Sequence, residues 1–250
     1  MYNHVIHLSR IDPEELWEQA KAWAAEDTGL PADCFSLAMV WMSPNCSTFS
    51  PTDSSNVNKL IKTKLIPQGE LRNCAYRDHT KKGKPPLQGK DTKYGAAARE
   101  ADACIKSLLG FIEWAVKEQG AHWAIENPRG SLREQWYMRK KIVQEALFVT
   151  VCFCVWGHHY KKPTNIWTSL TGWRPFGPRR TGQVYDGMCH QDCLMGRYVK
   201  TKTGRWGWNH YKAIAQQSSK VQGGRGRRVG KGAIPEGIHS DILHQWRLQD

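Results

Sequence analysis

The sequence predicts an α/β fold with a mainly parallel sheet, and three observations predict it. Helical and strand patterns alternate from Asp12 to Ser169, which is what βαβ crossovers require. The apolar runs Leu37 to Met42, His122 to Ile125 and Leu147 to Val155 are short and nearly continuous, the pattern of buried strands. The first two each lead into a polar string with a reactive side chain. These strings are Ser43-Pro44-Asn45-Cys46-Ser47-Thr48-Phe49-Ser50 and Glu126-Asn127-Pro128-Arg129-Gly130. Ligands of open α/β sheets bind outside the carboxyl ends of the strands, so a thiol and a carboxylate are expected to face one crevice.

The elements follow in order. Val5 to Leu8 is an early candidate strand. Asp12-Pro13-Glu14-Glu15 is a helix start, with Asp at the N-cap and Pro at the first helical position. Leu16, Ala20, Trp23 and Ala24 recur at helical spacing to about Ala25, and Gly29-Leu30-Pro31 ends the helix. Phe35 to Met42 is the next strand. From Ser50 to about Tyr94 the chain is polar and rich in Lys and Arg, with Pro67, Pro85 and Pro86, a composition expected of a solvated loop. Ala101, Ile105, Leu108, Ile112 and Ala115 then predict an amphipathic helix from Ala97 to Gly120. A further helix is predicted from Leu132 to Glu145, with strands from Leu147 to Val155 and from Asn165 to Ser169. Beyond Trp173, Gly, Arg, Trp and His dominate, and Gly223-Gly224-Arg225-Gly226-Arg227-Arg228 is a cationic segment that cannot build a core.

A chain of 250 residues, 40% hydrophobic and 24% charged, can bury a sizeable core. Its net charge of +13 points to a polyanion, nucleic acid before membrane. No secretory signal opens it and no apolar run is long enough to span a bilayer, so a soluble intracellular protein is expected, in the nucleus or cytoplasm. Eight cysteines in that setting are expected to be reduced. Most of the twelve tryptophans are expected in the core, leaving others to stack on unpaired bases. Cys189, His190, Cys193 and His210 match the ligand count of a structural zinc site, or stand as reduced cysteines and histidines in a loop.

A thiol beside a carboxylic acid suits attack on a pyrimidine ring, and here the residues carry a resemblance. The two strings resemble the nucleophile and Glu-Asn motifs of DNA cytosine-C5 methyltransferases, usually Pro-Pro-Cys and Glu-Asn-Val. A third string, Tyr160-Lys161-Lys162-Pro163-Thr164-Asn165-Ile166-Trp167-Thr168, looks like the later basic motif of compact phage and large-virus members. Ala233-Ile234-Pro235-Glu236-Gly237-Ile238 is similar to their closing Ile-Pro-Pro segment. The order of the four strings fits from Leu37 to Leu243.

The resemblance implies a Rossmann-like class I methyltransferase sheet. Here it is expected to be N-terminally truncated, with residues 1–173 as core, a basic loop 51–95 inserted, an irregular basic recognition lobe at 174–232, and a helix at 233–250 packing back. It implies methyl transfer from S-adenosylmethionine to cytosine C5 in DNA. Cys46 is the implied nucleophile toward C6, and Glu126 the acid that answers charge developing at N3. Pro44, Asn127, Pro128, Lys161, Lys162 and Thr164 are implied around the base and its phosphate. The base must be extruded from the stack, and the loop after Cys46 is the implied cover. Two departures stand out. Asn45 replaces the second proline, and no Phe-x-Gly-x-Gly cofactor turn precedes Cys46. The alternatives are therefore an inactive DNA-binding paralogue, or a split enzyme whose second chain supplies the cofactor strands. Folate-dependent nucleotide C5 transferases share the thiol step, but the basic groove argues for a polymer substrate.

Overall fold

The computed structural model describes residues 12–49, 76–78, 81–86, 93–156, 162–175, 196–200, 206–210 and 236–247. The expected strand at Val5–Leu8 and the glycine-arginine segment 223–228 lie outside them. Four strands form a mixed sheet in the order β1-β2-β4-β3: β1 Met39–Met42, β2 His122–Pro128, β3 Leu147–Cys152 and β4 Pro163–Thr168. By backbone contacts the chain groups into two compact units, residues 1–146 with 167–169, and residues 147–166 with 170–250.

In the first unit, helix α1 (Pro13–Thr28) begins as the sequence dictates. Asp12 Oδ1 accepts from the backbone N–H groups of Glu14 at 2.9 Å and Glu15 at 3.4 Å, satisfying two of the donors that a helix start leaves orphaned. Gly29 closes it at φ 73°, a left-handed conformation that a residue with a Cβ adopts at a cost. Helix α2 (Lys93–Gln119) is longer than its apolar pattern alone indicates. Its buried Ile105, Leu109 and Ile112 pack with Val40 and Met42 of β1 and Trp123 and Ile125 of β2. Alternation along β2 thus assigns Trp123 and Ile125 to the face that α2 covers. The end of the β4 segment docks on the start of β2. Thr168 Oγ1 donates to Trp123 O at 2.7 Å, and Ser169 Oγ accepts from Trp123 N at 3.0 Å.

The helix expected from Leu132 to Glu145 is not one helix. It consists of 3-10 turns at Ser131–Glu134 and Trp136–Arg139, followed by a single α turn, α3 (Lys141–Gln144). The breaks fall at Gln135 (ψ 142°) and Lys140 (ψ 145°). The buried Gln135 side chain donates back to Ser131 O at 3.0 Å, and that local bond competes with the helical ladder. Strand β2 runs on through Pro128, past the expected end at Ile125, so Glu126 and Asn127 are strand residues.

In the second unit, β3 ends at Cys152 rather than Val155, and Phe153–Trp156 forms a 3-10 turn. Helix α4 (Glu236–Arg247) packs on that turn with Ile238 and Ile242 buried. Within the stretch read as irregular, β5 (Gly196–Lys200) and β6 (Trp206–His210) pair antiparallel, with Tyr198 opposite Trp208.

Candidate active site

The site in the first unit is built on the parallel pairing of β1 with β2, from Met39 opposite His122 to Met42 opposite Ile125. Carried past the paired residues, that register sets Pro44 beside Asn127. Asn127 Nδ2 donates to Pro44 O at 3.3 Å, joining strings 83 residues apart. The bond also fixes the amide, leaving Oδ1 as the other atom. Asn127 is fully buried, and its Oδ1 has no hydrogen-bond partner among the described residues. Glu126 precedes it on the opposite face of β2 and is buried as well. Pro128, half-buried, ends the strand.

Cys46 is half-buried, forms no disulfide, and stands at the head of a turn that Phe49 N closes onto Cys46 O at 3.0 Å. Asn45 explains its own departure from the proline pattern. Its Oδ1 accepts from Ser47 N at 3.0 Å, an Asx turn that bends the chain by a side-chain bond instead of a ring. Ser131 N and Oγ both donate to Phe49 O, at 2.9 and 3.4 Å. The loop after Glu-Asn-Pro is thereby fastened to the loop after Pro-Asn-Cys.

Behind this turn lies a cluster that the sequence reading missed. Arg77 falls in the stretch expected to be a solvated loop, yet it is fully buried. Its Nε donates to Thr48 O at 2.8 Å and its Nη2 to Thr48 Oγ1 at 3.4 Å. Nη2 also meets Asp102 Oδ1 at 2.6 Å, while Nη1 reaches Asp102 Oδ2, Gln135 Oε1 and Lys84 O, each at 3.4 Å. The guanidinium sits 4.2 Å from the centroid of the Phe49 ring. Tyr137 Oη donates to Asp102 Oδ1 at 2.7 Å, and burial, followed by the Asp102 carboxylate, pushes the Tyr137 hydroxyl well above its ordinary value. Nothing in the composition separates Arg77 from the lysines around it. The one usable signal was the helical position of Asp102 among the apolar residues of α2.

The remaining expected residues belong to the second unit. Lys162 is half-buried with its ammonium 4.6 Å from the centroid of the Phe153 ring. Thr164 is fully buried and donates to Lys162 O at 3.2 Å. Lys161, Cys189, His190 and Cys193 lie outside the described residues, as does the side chain of His210. Among the described residues no group of three metal-ligating side chains forms, and no helix is long and apolar enough to cross a membrane.

The resemblance implies a tight glycine turn at a strand end, where the backbone can approach S-adenosylmethionine. Among the described residues, β1 and β2 lead into prolines, and the glycines at positive φ (Gly29, Gly83 and Gly120) lie after helices or in the turn at 81–84. The described residues do not fit that group. They place a half-buried cysteine in the loop after β1 and a buried glutamate on the neighbouring strand β2. Comparison with known protein families, curated proteins and solved structures finds no match.

Proposed function

We propose that this chain performs the base chemistry of a DNA cytosine-C5 methyltransferase, with Cys46 as nucleophile and Glu126 as acid. The observation that carries this reading is the Asn127–Pro44 bond, which holds the thiol loop against the strand bearing the carboxyl. In the proposed step the Cys46 thiolate forms a bond to C6 of an extruded cytosine. The C5–C6 π pair shifts toward C4, the C4–N3 pair moves onto N3, and Glu126 delivers a proton there. The product is an enamine nucleophilic at C5. Lys162 and the net charge of +13 suit a phosphate backbone.

The enamine exchanges its C5 hydrogen with water, which gives a test that needs no donor. DNA carrying tritium at cytosine C5 should release it to solvent with the wild-type protein and not with Cys46→Ser. Glu126→Gln should slow release by about 10²- to 10⁴-fold, the usual worth of a positioned acid. No release by the wild type rejects the reading.

A second reading, a DNA-binding paralogue or one half of a split enzyme, is favoured by the unsuited cofactor side. Calorimetry with S-adenosylmethionine separates the readings. Heat of binding by the chain alone supports a self-sufficient transferase, and none, with DNA affinity intact, supports the second.

A further inference from the structure

We infer that Arg77 is the positioning residue that fixes the Cys46 sulfur relative to the strand carrying Glu126. This rests on the reading of Cys46 as nucleophile. Every bond from Arg77 to the nucleophile turn is directional. The fork holds the carbonyl and hydroxyl of Thr48 while its central carbon sits 4.2 Å from the centroid of the Phe49 ring. Because Phe49 N closes the turn on Cys46 O, constraining Thr48 and Phe49 constrains the residue that bears the sulfur. The same guanidinium touches Gln135, whose amide donates to Ser131 O, in the segment that follows Glu126. One side chain thus spans both loops, 29 residues from Thr48 and 58 from Gln135 in sequence.

A merely structural role does not account for this choice of residue. An apolar pair of similar volume commonly serves a buried site as well as an ion pair does. What a guanidinium adds is a rigid planar set of donors with fixed mutual angles. Asp102 neutralises it at 2.6 Å and is itself steadied by Tyr137, so the fork has one orientation. Lysine keeps the charge and loses the fork, so charge and geometry can be told apart.

The decisive experiment uses the full chain bearing Arg77→Met together with Asp102→Asn, which removes the pair without stranding either charge. Two readouts are taken after circular dichroism shows a folded chain: tritium release from cytosine C5 in DNA, and the iodoacetamide alkylation rate of the Cys46 peptide by mass spectrometry. The expected result is tritium release slowed by about tenfold or more, as misplacement of a reacting group predicts, with DNA affinity held and the Cys46 alkylation rate changed. A folded double variant with wild-type rates on both readouts overturns the inference. If the wild type releases no tritium, the function proposed above fails, and the alkylation rate alone then decides the role of Arg77. Should the double variant not fold, Arg77→Lys replaces it. A folded lysine variant with wild-type rates overturns the inference in the same way, and slowed release or altered alkylation supports it.

Discussion

At the scale of single residues, the site is held by bonds between side chain and main chain. The side chains of Asn45, Arg77, Asn127 and Ser131 all bond to backbone groups of the two loops. Tyr137 shows how this costs the protein pH range. Its hydroxyl is raised above the ordinary value of about 10, so the folded chain keeps that proton where the unfolded chain has lost it. The contribution is therefore complete below pH of about 10 and is lost as pH climbs toward the folded value. Melting followed between pH 8 and 11 should show the wild type losing stability at the alkaline end more steeply than Tyr137→Phe. Equal slopes would show that Tyr137 does not carry the effect. Arg77 was not readable beforehand, because a lysine-rich stretch gives no sign of which cation will be paired inside. The places of Cys46 and Glu126 in the fold, though not their roles, were readable because each follows an apolar run that folds as a strand.

At the scale of elements, legibility tracks how local the cause is. Helix α1 is written in Asp12, Pro13 and Gly29, all within its own ends. Helix α2 is written in its 3.6-residue apolar period. The segment 131–144 carries a similar period, but the local bond from Gln135 to Ser131 O competes with the ladder, and the contact of Gln135 with Arg77, 58 residues away, is not written in the segment itself. The fit of α4 on the 153–156 turn rests on Gly237. A Cβ there would lie 2.7 Å from Trp156 Cδ1, closer than atoms tolerate. Gly237→Ala should force the indole aside and destabilise the chain by about 1–3 kcal/mol, the ordinary cost of overpacking. Chemical denaturation measures it, and Trp156→Ala in the same background should relieve the clash. The paired ribbon β5–β6 was hidden by a composition that reads as irregular, since composition carries no mark of pairing register.

At the scale of the whole molecule, the sequence predicted an α/β fold with a mainly parallel sheet, and the fold is mixed α/β with a four-stranded mixed sheet. On the proposed reading, the net charge of +13 would govern binding to DNA. If lysines and arginines neutralise phosphates, counterions are released and affinity falls linearly with salt on logarithmic axes, with a slope of about −0.9 per phosphate contact on duplex. Fluorescence anisotropy across 50–300 mM salt should give that line, and a binding constant indifferent to salt would argue against a phosphate-directed role. The Cys46 substitution should leave the slope unchanged, because the thiol bears no part of the backbone contact.

The anchoring of residues 46–49 also decides which partner must do the moving. Most reactive loops are pliable and close upon what they bind, whereas this one is braced from behind by a guanidinium with its donors spent and from the side by Ser131. A group so braced waits for its target. If the proposed function holds, the work of bringing the reacting atoms together falls upon the nucleic acid, and easily opened sites, such as mismatches and single strands, are the ones this chain would select first.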